Sequence, residues 1–184
     1  MHDEHVSRVP MPGGLSAPAF DEASEKEFLA TIARYPNKEA ATLPVLWIAQ
    51  RQFGWLPQEV LEYVASRLSM PVARVTGVAS FYTMFKFRPT GKYHIQICRN
   101  LSCAMFGAER ITERICKKLG VKIGGTTKDN LFTVDQVECL AACGIAPAVQ
   151  VNEDFHATMK GEKLDQLLEV IVEEEKRMGK GTRP

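Results

Sequence analysis

The chain has 184 residues, the length of one ordinary domain or of a small domain with an appendage. Hydrophobic residues make up 45% and charged residues 24%, which excludes a globally disordered chain. Lys plus Arg (23) against Asp plus Glu (22) leaves a net charge of +1, so no overall field draws in nucleic acid or an anionic membrane.

Apolar runs such as Val45-Leu46-Trp47-Ile48-Ala49 fall far short of the ~18 residues of a membrane span. The start, Met1-His2-Asp3-Glu4-His5, has neither a basic nor an apolar leader region, so a soluble intracellular protein is expected. In that setting five cysteines point to metal or redox chemistry rather than structural disulfides.

Residues 1–20, with Pro10, Pro12, Gly13, Gly14 and Pro18, read as a flexible arm, or else as a strap that orders on a partner. From Asp21 the period is helical. Ser24-Glu25-Lys26-Glu27 has the form of a capping box, followed by Phe28, Leu29 and Ile32 on one face. A second helical segment over about 38–53 carries Leu43, Leu46, Trp47 and Phe53, with Pro44 either kinking it or marking its true first turn and Gly54 stopping it. Pro57 suits the first turn of a helix carrying Val60, Leu61, Val64 and Leu68, and Pro71 opens a fourth, to about Ser80. Together these make a small helical bundle.

The stretch Phe81-Tyr82-Thr83-Met84-Phe85-Lys86-Phe87 has no helical spacing. Phe81, Phe85 and Phe87 share one face of an extended strand, which suits burial between the halves of the chain better than a docking surface. Pro89-Thr90-Gly91 is a turn and a domain boundary. Beyond it the period becomes two. Tyr93 to Cys98 alternates as a strand with Ile95 and Ile97 inward, and 104–119 forms an amphipathic helix (Phe106, Ile111, Ile115, Leu119) closed by Gly120. Leu131 to Val137 is a second strand, and Ala148 to Val151 with Phe155 to Met159 a hairpin. A final helix carries Leu164, Leu167, Leu168, Ile171 and Val172, and then frays into a basic tail. The expected organisation is an arm (1–20), a helical bundle with aromatic connector (21–88), an α/β domain with one sheet face covered by helices (89–178) and a tail (179–184).

Cys98 and Cys103 follow the first of these strands, and Cys139 and Cys143 follow the second. A strand–helix–strand unit makes those strands parallel, so both pairs emerge at the same sheet edge, where ligands of open α/β sheets gather. Cys116, mid-helix beside Ile115, reads as a small buried hydrophobe. Four sulfur ligands suit zinc or iron–sulfur. These spacings are wider than the tight pairs of many structural zinc sites and favour a [2Fe–2S] cluster over zinc, with two redox disulfides as a third alternative. His94 and His156 lie in expected strands and read as ordinary polar-face residues. A cluster of this kind carries a double negative charge, a triple one after reduction, and needs donors. The loops Arg99 to Ser102 and Leu140 to Ala142 and the start of the helix after Cys103 are positioned to supply backbone N–H groups. Arg99 reads as solvated, Gly144 as a tight exit from the last ligand, and Pro147 as a candidate cis peptide.

Tyr35-Pro36, Leu43-Pro44-Val45-Leu46, Phe53-Gly54-Trp55, Phe81-Tyr82-Thr83-Met84-Phe85, Gly91-Lys92-Tyr93-His94-Ile95 and Val137-Glu138-Cys139-Leu140 stand in order with the cysteine pairs. With them the chain resembles, over about residues 24–172, the small [2Fe–2S] subunits of the NADH-oxidising module of NADH:quinone oxidoreductase (respiratory complex I). The resemblance implies a thioredoxin-like [2Fe–2S] ferredoxin domain behind a helical bundle, with cluster ligands at Cys98, Cys103, Cys139 and Cys143. It implies a subunit of an oxidoreductase that accepts or stores one electron, with FMN and NADH on a larger flavoprotein partner; no G-x-G-x-x-G follows a strand here. It also implies a cytoplasmic place, peripheral to the inner membrane through the wider respiratory complex and without direct membrane insertion. Family members often show Leu-Gly-Ala-Cys or Leu-Gly-Ser-Cys at the fourth ligand, where this chain has Leu140-Ala141-Ala142-Cys143. The competing readings are the equivalent subunit of an NAD-linked hydrogenase or formate dehydrogenase, a free-standing ferredoxin, and a zinc-stabilised interaction module.

Overall fold

The chain passes from helices to a sheet at Pro89-Thr90, and each side builds its own core. The computed structural model describes residues 17–159 and 161–178. The arm over 1–16 and the tail over 179–184 lie outside the described residues.

In the first unit, α1 (Glu22–Ile32) starts one turn earlier than the capping-box pattern suggests, because Asp21 takes the cap and its Oδ1 accepts from Ser24 N–H at 2.7 Å. Ser24 becomes part of the first turn. Phe28 and Thr31 then face inward, whereas Leu29, expected on the same face, is exposed. A short 3-10 turn (Glu39–Ala41) leads into α2 (Thr42–Phe53), so Pro44 sits in the first turn, where its missing N–H removes no helix bond. Gly54 closes α2 at φ 81, a left-handed stop that glycine adopts without a Cβ penalty. Pro57 and Pro71 immediately precede α3 (Gln58–Leu68) and α4 (Val72–Phe81). Their inward stripes, Val60, Leu61, Val64 and Leu68 with Val75 and Ala79, close on Val45, Leu46, Ile48 and Ala49 of α2.

Phe20, expected in the arm, belongs to this core: its ring lies 5.0 Å from Tyr63 and 5.7 Å from Phe28, and its N–H donates to Tyr63 Oη. Arg67 ties the same corner together, giving both Nη atoms to Glu25 at 2.6 Å with its guanidinium 4.2 Å over the Phe28 ring. The side-chain bond from Arg67 holds the Glu25 carboxyl below its usual range. A depressed folded-state value means that the stabilisation is present above the ordinary carboxylate range and is lost as pH falls through the folded value. Glu25→Gln is therefore expected to cost about 1 kcal/mol or less at neutral pH and to flatten the acid limb of a stability–pH curve. A wild-type curve that the substitution leaves superimposable would show the pair to be inert.

The aromatic segment is not a strand. Phe81 ends α4, the following residues form turns, and only Phe85 is buried, 5.6 Å from Trp47. With turns in place of a strand, Phe81, Phe85 and Phe87 do not share one strand face within this unit. Gln50 sets this path: buried in α2, it donates to Met84 O at 3.0 Å and accepts from Lys86 N–H. With the Leu56 N–H donating to Lys86 O at 2.7 Å, Gln50 satisfies the backbone of a turn where the pattern suggests a strand.

Among the described residues the second unit holds four strands, β1 (Tyr93–Cys98), β2 (Phe132–Val137), β3 (Val149–Val151) and β4 (Asp154–His156), in the sheet order β2-β1-β3-β4. β1 runs parallel to β2, in register from Tyr93 opposite Phe132 to Cys98 opposite Val137. β3 pairs antiparallel with β1 and with β4, through a turn in which Asn152 has φ 54. The crossover from β1 to β2 is broken into α5 (Leu101–Met105) and α6 (Ala108–Leu119) by Gly107 at φ 94, not continuous as its period suggests. That break leaves Phe106 exposed instead of inward. Ile111 and Ile115 of α6 and Leu164, Leu168 and Ile171 of α7 (Gly161–Met178) share one core with Ile95, Ile97, Val134 and Val149 of the sheet. Alternate residues on the opposite face are polar. His94 Nε2 lies 2.7 Å from Asp135 Oδ2, and Thr133 Oγ1 accepts from Gly91 N–H.

Candidate metal centre

Cys98 is the last residue of β1 and Val137, its register partner, the last of β2; the ladder therefore delivers both following loops to one edge. Two backbone bonds fasten the first loop there. Cys98 N–H donates to Ala148 O at 3.2 Å on the β3 side, and Arg99 N–H to Val137 O at 3.0 Å on the β2 side. Asn100 caps α5, which places Cys103 inside that short helix rather than ahead of a helix N-terminus. The second loop runs from Cys139 to a 3-10 turn, Cys143–Ile145, and leaves through a cis Ala146–Pro147 peptide, as expected for Pro147.

Cys98 ends β1, Cys103 lies in α5, Cys139 follows β2 and Cys143 opens the 3-10 turn. The Cys98 thiol donates to Glu138 O of the second loop at 3.8 Å, and Cys139 Sγ accepts from Ala141 N–H at 3.2 Å. Cys98 and Cys103 are buried, and Cys139 and Cys143 are exposed. Burial works against ionising Cys98, but the N–H groups of Leu140 and Asn100 and the neighbouring thiols outweigh it and bring that thiol down. Burial dominates at Cys103 and pushes it up, although an Ala148 backbone bond opposes the rise. Among the described residues no three His, Cys, Asp or Glu side chains close around a single-ion position. A donor set of four sulfurs and several inward N–H groups fits a dinuclear iron–sulfur core, in which each iron takes two thiolates.

The expected donors are partly those observed. Asn100, Leu140 and Ala141 supply N–H groups from the two ligand loops, and Ala148 adds one from outside them. Its contribution arises from the antiparallel pairing of β1 with β3, which no local pattern reveals. Gly144 is not needed for the exit: its φ is not left-handed and an added Cβ would meet nothing within 4 Å. Arg99, expected to be solvated, pairs with Glu138, so residues flanking Cys98 and Cys139 join across the two loops. Both side chains are exposed, which limits the worth of the pair. Cys116 is half-buried in α6, where burial raises its thiol. His94 is engaged by Asp135 on the polar sheet face.

Ala141 stands in the left-handed region at φ 54 and donates its N–H to Cys139 Sγ at 3.2 Å. An L-residue there costs about 1–2 kcal/mol relative to its ordinary conformations. Around the same rim Leu101, Met105, Phe106 and Ile145 are exposed.

The model of the thioredoxin-like [2Fe-2S] ferredoxin family matches residues 28–172. The chain is 45% identical over 141 residues to an NADH-quinone oxidoreductase subunit of Rickettsia felis, covering 75% of this chain and 84% of that protein. It is 44% identical over 159 residues to the Rickettsia prowazekii protein of the same name, covering 85% and 90%. An NADH-quinone oxidoreductase subunit of Rhizobium meliloti is 43% identical over 144 residues, with 78% and 86% covered. In fold the chain is similar to an NAD+-reducing [NiFe]-hydrogenase in the air-oxidised state, with a TM-score of 0.60 at 22% identity over 70% of this chain. There it spans 23%, about a quarter, of the hydrogenase chain.

Proposed function

The chain belongs to the thioredoxin-like [2Fe-2S] ferredoxin family, and from that premise we propose that it is the [2Fe–2S] electron-transfer subunit of an NADH:quinone oxidoreductase, with Cys98, Cys103, Cys139 and Cys143 as cluster ligands. One observation carries this reading: parallel β1 and β2 end side by side, so the loops that follow them bring the four cysteines to one edge of the sheet, where the Cys98 thiol meets Glu138 O of the second loop. When bound, a [2Fe–2S] cluster supplies a site that takes and returns one electron at a time. The residues around it do the rest. Buried Cys98 and Cys103 anchor the core side, backbone N–H groups of Asn100, Leu140, Ala141 and Ala148 offset negative charge, and exposed Cys139 and Cys143 keep the outer edge near the surface.

The partner in this reading is a larger subunit bearing FMN and oxidising NADH, which hands over one electron of a hydride pair. Leu101 and Met105, one turn apart on α5 beside Cys103, are both more than two-thirds exposed and suit a covered rim. No helix among the described residues is long and apolar enough to cross a membrane, and the chain in this reading meets the membrane only through its complex. The hydrogenase similarity keeps the equivalent subunit of an NAD-linked hydrogenase as second reading, but the relatives matched over 84% and 90% of their length carry the quinone-oxidoreductase name. The test is NADH titration of the anaerobic chain alone and co-purified with its flavoprotein. Bleaching of the visible absorption only in the complex is expected; reduction of the isolated chain by NADH would contradict the division of labour, and co-purifying hydrogenase chains would favour the second reading.

A further inference from the structure

Five described residues other than glycine have positive φ: Ser69, Asn130, Ala141, Asn152 and Thr158. Four carry polar side chains, and the two asparagines are types that tolerate this region well. Ala141 has only a methyl group, so its side chain contributes no hydrogen bond to offset the conformation. What the conformation does provide is direction: it turns the Ala141 N–H onto Cys139 Sγ at 3.2 Å, two residues back in the same loop. Strain of this kind persists where surrounding structure imposes it, and it gathers at functional sites.

We propose that Ala141 is a positioning residue whose left-handed backbone holds its N–H on the Cys139 sulfur, and that this donor raises the reduction potential of the bound cluster. The inference rests on Cys139 being a ligand. Reduction adds one negative charge, shared in part by the thiolate sulfurs, and a fixed N–H dipole stabilises the more negative state more strongly. The methyl group narrows the loop to that arrangement without supplying the donor itself.

The test removes the donor and keeps the side chain. A synthetic Cys139–Pro184 segment carrying the α-hydroxy analogue of alanine at position 141 is ligated to the rest of the chain, which replaces the N–H by an ester oxygen. The full chain is reconstituted anaerobically and titrated with EPR detection. At the wild-type midpoint the ester chain is expected to show an about tenfold lower ratio of reduced to oxidised cluster, a midpoint ~59 mV more negative for a one-electron couple. Ala141→Gly, which retains the N–H, is expected to stay within about twofold of wild type in that ratio. An ester chain with full iron content and the wild-type midpoint overturns the proposal. If the ester chain takes up no iron, Ala141→Val decides on the same terms, because a β-branched residue is driven out of this region and turns the N–H away. A wild-type chain that binds no iron overturns the ligand assignment itself, and this inference with it.

Discussion

Cys139→Ser is expected to abolish the reduced-state EPR signal or replace it with a different spectrum, while Cys116→Ser leaves the signal nearly intact. Cys139 follows β2 at the sheet edge and receives the Ala141 N–H, whereas Cys116 sits in α6 among the apolar residues of the sheet core. Outer-sphere partners of a metal site already cost roughly 10–100-fold in affinity when removed, so loss of a ligand sulfur costs at least that much. Serine at position 116 places a hydroxyl in a half-buried apolar setting and is expected to cost about 1 kcal/mol of stability with no change in g values. Equal effects from the two substitutions, read in samples matched for iron content, would overturn the choice of ligands.

Gly91→Ala is expected to destabilise the second unit by about 1–3 kcal/mol. A Cβ built there meets Leu131 C, Leu131 O and Phe132 C, all at 2.9 Å, and these are backbone atoms of the chain entering β2. Neither side can yield without disturbing the parallel ladder, in which Lys92 N–H and Tyr93 N–H donate to Asn130 O and Leu131 O. The Gly91 N–H also donates to buried Thr133 Oγ1, so moving the residue strands a polar atom. In a unit of this size each 1 kcal/mol lowers Tm by roughly 4–8 °C. Gly144→Ala is the matched control, since its Cβ would meet nothing within 4 Å, and a shift within about 0.5 kcal/mol is expected. Thermal melts of the two variants that coincide with wild type would remove the close approach as a structural requirement.

Gly91 also shows where sequence reading stops. As part of Pro89-Thr90-Gly91 it is legible as a turn residue, but the reason for glycine lies about forty residues away in the strand that packs against it. The same division runs through the fold. Strand β1, the stripe of α7 and the proline-opened helices follow from local period and stop signals, and the parallel pairing of β1 with β2 follows from the strand–helix–strand order. What is not legible depends on competition between two valid local signals or on a distant partner. Asp21 and Ser24 are both good caps, and tertiary packing of Phe20 and Phe28 goes with the earlier start. The aromatic segment has a strand's alternation, but Gln50 binds it as a turn. At the site, the four cysteines are legible from their positions after two strands, and the family resemblance adds their proposed role. The Ala148 donor, the Arg99–Glu138 pair and the left-handed Ala141 come only from the folded chain.

The gathering of four thiolates about a diiron core is tested most directly on anaerobically purified chain by metal and acid-labile sulfide analysis together with EPR after reduction. Two irons and two sulfides per chain, with a spin-half signal that appears only on reduction, are the expected result. A colourless chain holding one zinc, without iron or labile sulfide, would contradict it.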